Sequence, residues 1–330
     1  DIAGADVDLV VFLGDYVYES APRDEPLRPL PPPASAPAAD LDGYRARYEA
    51  ARRDPDLAAA HAAHPWAVTW DDHEVQNDHA GGSGTVDPAR RAAAYQAWWE
   101  HMPVRLDPPV GDTATVHRSL RWGTTTELLL LDTRQFRAAA PCGGGIVDTN
   151  ACAEVADESR TMLGDEQEAW LLERLGNAEA TWTTLAQSVV FAPIQVGGQV
   201  NSDAWDGYPA ARRRIVDALP DDVVVLTGDI HVQLVADVLA DDGRVVAAEL
   251  VAPSISSRVG DAGAILEVLP SVAPQVLHAD GERRGWLRCD VTAEGWTATF
   301  REVVDVADPS SDVVDGATFE VVAGTPGVRR

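Results

Sequence analysis

The stretch Leu9-Val10-Val11-Phe12-Leu13-Gly14-Asp15-Tyr16-Val17-Tyr18-Glu19 decides how the chain is read. A run of apolar residues stopped by Gly-Asp predicts a buried parallel strand whose carboxyl end delivers a carboxylate into a crevice. Tyr18 follows on the next turn, near enough for its phenol to face the same point as Asp15. A carboxylate is a hard oxygen ligand, and a phenolate suits a strongly Lewis-acidic ion such as ferric iron. Alone, a Gly-Asp ending is equally well a turn that caps the next helix. A second run, Val223-Val224-Val225-Leu226-Thr227, ends in Gly228-Asp229-Ile230-His231. Two such endings, one followed by Tyr and one by His, point to a metal site at the carboxyl edge of one sheet.

Further along, Pro65-Trp66-Ala67-Val68-Thr69-Trp70 reads as a short strand. It runs into Asp71-Asp72-His73-Glu74-Val75-Gln76-Asn77-Asp78-His79, where acidic, amide and imidazole side chains crowd one loop. A hydrated loop is often polar, but this one leaves an apolar strand directly and holds the ligand types of a hard or borderline metal. The Gly81-Gly82-Ser83-Gly84 run lacks the Gly-Lys-Ser/Thr ending of a phosphate loop and reads as a flexible connector. Helices are expected over 43–64, 88–102, 168–175 and 210–219, and strands over 116–122, 127–132, 183–192, 234–239 and 245–251. His61 and His64 read as surface residues facing the dipole of the first helix. Seven prolines between Ala21 and Ala39 exclude regular helix and predict a surface loop. From Gly285 the alternation through 286–291 and 296–300 is that of a β-hairpin with one buried face. Strands alternate with helices over the first two thirds and dominate the last, which predicts a layered α/β domain.

At 330 residues the chain has room for one large α/β domain or two smaller ones. Its 26 Lys and Arg against 53 Asp and Glu leave a net charge of −27, a field that repels nucleic acid and anionic membrane surfaces. Nucleic-acid binding is therefore not expected, and a phosphate-bearing substrate needs a locally cationic site. Arg90, at the start of the 88–102 helix, is a candidate to meet such a substrate, with a salt bridge the ordinary alternative, and Arg134 is another candidate. No apolar run approaches the roughly 18 residues of a membrane span. Cys142 and Cys152 flank a loop of glycine and polar residues, which suits a disulfide in an exported protein, with two free thiols as the alternative. The chain opens at Asp1 with what reads as the tail of a helix leading into a strand, an internal start. A glycosidase built on paired carboxylates leaves Tyr18, Asp229 and His231 unexplained, and no Gly-x-Ser-x-Gly elbow occurs.

Five motifs stand in order: Gly14 to Glu19, Trp70 to Asp78, Asp132-Thr133-Arg134-Gln135-Phe136-Arg137, Asp203-Ala204-Trp205-Asp206-Gly207-Tyr208-Pro209, and Gly228 to His231. Together they resemble the PhoD-type alkaline phosphatase/phosphodiesterase family of the metallophosphatase superfamily, and the resemblance runs on through 285–291. It implies a metallophosphatase-like α/β sandwich of two β-sheets flanked by helices, as a single domain over residues 1–330. It also implies a ferric ion with calcium beside it, and hydrolysis of phosphate mono- or diesters. Small molecules, phospholipids and envelope polymers all remain open as substrates.

Carried over by position, Asp15 would ligate and bridge the metals and Tyr18 would be the iron phenolate. Asp72 and Asn77 would be ligands from the second motif, and Asp229 and His231 would complete the cluster. His73 stands where related metallophosphatases keep a proton donor. The family's first strand, with its iron-ligating cysteine, and its secretion signal, commonly twin-arginine, lie upstream of the position of Asp1. The expectation is a domain without that strand, secreted or held in the cell envelope; the rival is a non-catalytic metal- or envelope-binding fragment of the same fold. Multivalent cations offset the charge of a phosphate ester and lower the pKa of a bound water. A metal-activated oxygen nucleophile is therefore expected to attack phosphorus in line, with His73 serving the leaving group.

Overall fold

The computed structural model describes residues 1–20, 29–257 and 266–329, so part of the proline-rich loop lies outside the described residues. The strands in chain order are β1 (Val10–Phe12), β2 (Trp66–Val68), β3 (Arg118–Trp122), β4 (Thr126–Leu130), β5 (Ile146–Asp148), β6 (Trp182–Ala186), β7 (Gln199–Asn201), β8 (Val223–Thr227), β9 (Gln233–Leu239), β10 (Val245–Val251), β11 (Val276–Asp280), β12 (Arg284–Val291), β13 (Gly295–Val303) and β14 (Val313–Val322). The main helices are α1 (Leu41–Arg52), α2 (Pro55–Ala63), α3 (Pro88–His101), α4 (Asp165–Gly176) and α5 (Pro209–Val216).

A seven-stranded sheet, ordered β11-β9-β10-β8-β6-β4-β3, carries the centre of the molecule. β4, β6, β8 and β10 run parallel, which requires both faces to be covered. The valine run of β8 meets that demand by alternating. Val223 and Val225 pack with Leu171 and Leu175 of α4 and Ile215 of α5, while Val224 packs with Trp296 and Phe300 of β13. Leu128, Leu130 and Ala186 meet Leu9, Val11 and Leu13 around β1. The far side of the parallel β1–β2 pair, with Phe12 and Trp66, joins Tyr44 and Tyr48 of α1 and Tyr95 and Trp98 of α3. The expected sandwich of two β layers between helices is what forms. The second layer comes in two pieces, the β1–β2 pair and the β12-β13-β14 sheet.

Three expectations need correction. The helix over 43–64 is two helices, because Pro55 opens α2 and Asp54 caps it, accepting from Asp56 N and Leu57 N at 3.0 Å each. The strand over 183–192 stops at Ala186. Beyond it, the Glu249 carboxylate of β10 takes the Phe191 and Ala192 N–H groups at 2.7 Å in place of a ladder. The 81–84 glycine run is no loose connector: Gly81 N and Gly82 N donate to Arg134 O and Arg137 O at 2.9 and 3.0 Å. A Cβ on Gly81 would lie 1.7 Å from Gln135 O, so only glycine allows this approach.

Candidate metal centre

Strand ends from both β layers meet at one carboxyl edge. β1 leads to Asp15 and Tyr18, β2 to Asp71, Asp72 and His73, β4 to Arg134, and β8 to Asp229 and His231. Asp15, Asp229 and His231 have φ of 57°, 62° and 58°. Non-glycine residues persist in that left-handed region only where the surroundings fix them, and such residues gather at functional sites.

The Tyr18 hydroxyl lies 3.1 Å from Asp15 Oδ2 and 2.9 Å from His231 Nε2, and His231 Nε2 lies 3.1 Å from the same Asp15 oxygen. Asp15, Asp72 and His73 each offer a ligand atom within 4.8 Å of the others, and so do Asp71, Asp72 and Asp229. Asp15 Oδ1, Asp71 Oδ2 and Asp72 Oδ1 are buried with no hydrogen-bond partner among the described residues. Buried polar atoms are nearly always satisfied, so unpartnered carboxylate oxygens on these grouped side chains are ones that could hold a cation. Carboxylate, phenol and imidazole donors together fit a hard to borderline ion.

Charge crowding says the same. Burial, with Asp71 and Asp15 nearby, holds Asp72 well above the ordinary carboxylate range despite the pull of Arg134. Burial and Asp71 do the same to Asp229. Burial and the Asp15 charge push the Tyr18 phenol up. Burial alone would raise Asp15, but the His231 hydrogen bond and the charge of His73 bring it below its usual value. His73 goes the other way. Burial would lower it, but its Nδ1 donates to Glu19 Oε2 at 2.8 Å, and with Asp72 and Asp15 close by it is raised to about 10.

The family model for PhoD-like phosphatases matches residues 1–300. The chain belongs to the PhoD-like phosphatase family. It is 36% identical to alkaline phosphatase D of Bacillus subtilis (strain 168) over 351 residues, a match that takes in 98% of this chain and 59% of that protein. This PhoD-like chain thus spans less than two thirds of that relative's length. The solved structure of PhoD superposes with a TM-score of 0.89 at 34% identity, covering 99% of this chain and 67% of that one. A purple acid phosphatase from yellow lupin (Lupinus luteus) seeds shares the fold, with a TM-score of 0.54 at 11% identity over 96% of this chain and 47% of its own.

Of the PhoD-like positions singled out in the sequence, Asp15, Tyr18, Asp72, His73, Asp229 and His231 come together. Asn77 is exposed, with its N–H 3.3 Å from Glu19 Oε1, a carboxylate that also holds His73. Arg134 is 0% exposed. Its guanidinium is divided among Asp71, Asp203 at 2.8 and 3.0 Å, and Asp229 at 3.0 Å. It therefore stands behind the carboxylates as a counter-charge and does not open toward a substrate. Arg90 is likewise committed, to the Tyr44 hydroxyl at 2.8 Å, Gln76 Oε1 at 2.6 Å and the Ala38 carbonyl at 3.1 Å. It fastens α3 to the turn after β2. Cys142 and Cys152 form a disulfide with Cα atoms 6.1 Å apart. Sequence reasoning missed Asp71, Glu19, Glu74 and Asp203. All four lay inside quoted motifs, but each has partners tens of residues away.

Proposed function

We propose that this chain is a phosphoesterase, hydrolysing phosphate mono- or diesters at a centre that holds ferric iron with calcium beside it. Its place of action is outside the cytoplasm, secreted or in the cell envelope, which the Cys142–Cys152 disulfide supports. The observation that carries the reading is the convergence of Asp15, Tyr18, Asp72, Asp229 and His231, with buried carboxylate oxygens left unpartnered. These residues would hold the ions, with Asn77 as a further oxygen donor. Cations bound there offset the charge of the ester and make hydroxide available near neutral pH. Asp15 lies between Tyr18, His231 and Asp72 and would be shared between the ions. Glu19 holds His73 by Nδ1, which leaves Nε2 to meet the leaving oxygen, and it keeps the ring protonated for that transfer. Arg134, out of reach of substrate, keeps Asp71, Asp203 and Asp229 from repelling one another.

The test is hydrolysis of bis(p-nitrophenyl) phosphate beside p-nitrophenyl phosphate, with iron and calcium supplied and again after chelation. Turnover that a chelator abolishes is the expected result, and the ratio of the two rates assigns diester or monoester preference. A folded, metal-loaded sample that hydrolyses neither ester would overturn the reading in favour of a non-catalytic metal-binding domain.

A further inference from the structure

We infer that Glu74 is a positioning residue for this centre, fastening the loop that carries Asp15 to the loop that carries Asp71 and Asp72. This role rests on the functional reading above and adds a residue to it. Glu74 is 1% exposed and both of its oxygens are taken by backbone donors. Oε1 accepts from Tyr16 N at 2.7 Å, and Oε2 accepts from Asp15 N at 3.1 Å and Asp71 N at 2.8 Å. The Asp71 bond is local and closes the turn in the way a capping-box glutamate does. The other two reach back 59 and 58 residues, to the loop after β1. With its oxygens occupied in this way, Glu74 faces N–H groups and acts on the ions only through the loops it joins.

The fastening is tight because the loops touch. Gly14 has φ 115°, and a Cβ there would lie 2.4 Å from Asp71 Cβ and 2.5 Å from Asp71 N. Asp15 follows in the left-handed region, a conformation that surrounding bonds must hold. A carboxylate suits three converging N–H donors because it only accepts. An amide of the same shape presents one oxygen and one NH2, so in either orientation at least one backbone N–H faces another donor. Replacing Glu74 by Gln keeps the volume and removes this match.

The experiment uses the full chain, stripped with chelator and then titrated with ferric citrate alone and with calcium alone, bound metal being measured by equilibrium dialysis. In Glu74→Gln the affinity is expected to fall roughly ten- to hundredfold, the size of one charge-assisted hydrogen bond. The visible absorption of the iron-bound phenolate should weaken or shift with it. Glu127→Gln is the control. It removes a buried carboxylate bonded to Ser119 and Arg174 at the opposite end of β4, and should bind metal as wild type does. Wild-type affinity in Glu74→Gln, or an equal loss in Glu127→Gln, would overturn the assignment. If Glu74→Gln does not fold, amide exchange in the metal-free wild type decides: Asp15, Tyr16 and Asp71 must be protected, and exchange at exposed-loop rates rejects the clamp. A wild type that binds neither ion and turns over neither ester defeats the functional reading instead, while the exchange measurement still judges Glu74.

Discussion

Asp15 has one oxygen shared by Tyr18 and His231 and one with no hydrogen-bond partner, whereas His73 has its Nδ1 tied to Glu19. The two residues should therefore fail differently. Asp15→Asn replaces an anionic ligand by a neutral amide, and bound metal and turnover are expected to fall together, on the order of a hundredfold in affinity. Metal analysis and turnover on the same sample check this, and full activity in that variant would remove the core of the proposal. His73→Ala should keep its metal and lose roughly 10²- to 10⁴-fold in kcat, the range of a general acid. Loss of metal from that variant would make His73 a ligand instead of a donor. The residues that could be read in the sequence are the ones delivered by strand endings, Asp15, Asp72, Asp229 and His231, because an apolar run that stops at a carboxylate is a local pattern. The carboxylate partners of Arg134, put forward as a candidate to meet substrate, were not legible because nothing local announces partners 63, 69 and 95 residues away.

Helices and strands were legible where their ends carry chemistry. The helix expected over 88–102 forms as α3, opened by Pro88, and the strands expected over 234–239 and 245–251 form as β9 and β10. Pro55 was overlooked although it follows Asp54, a pairing that starts a helix, and the break between α1 and α2 went with it. Val189, Val190 and Phe191 are buried as a strand would be, but their backbone is served partly by the side chain of Glu249, which periodicity cannot reveal. The packing of α1 on α3 offers a measurable case. Arg45 Nε and Nη2 each reach a Glu100 oxygen at 2.7 Å, and this bond holds Glu100 down to about 2 from 4.5. A carboxyl depressed on folding contributes stability above its unfolded value and loses it as pH falls toward the folded one. Glu100→Gln should then cost under about 1 kcal/mol at pH 7, the pair being partly exposed and screened by salt. Urea denaturation of both proteins should show the gap narrowing between pH 4.5 and 2. A gap that widens on acidification would contradict the pairing.

Across the whole molecule a net charge of −27 surrounds a centre where carboxylates already crowd one another. Ion binding should therefore support the fold as well as the chemistry. Chelation is expected to lower the unfolding midpoint, and restoring calcium to a hundredfold above its dissociation constant should return about 2.7 kcal/mol of stability. Scanning calorimetry checks this, with sodium chloride at matched ionic strength giving much less; equal effects would mean general screening only. No described helix is long and apolar enough to cross a membrane. The layered fold was legible from the alternation of strands and helices, but the split of the second layer was not, since it depends on which strand edges pair. The separation of Tyr18 from His231 along the chain, 213 residues, carries a further consequence. The whole of that separation must be synthesised before both partners exist, and long-range sheet pairing must bring them together before they could share an ion. On the proposed reading, metal uptake would therefore follow completed folding, and the ion would be gained in whichever compartment that completion takes place.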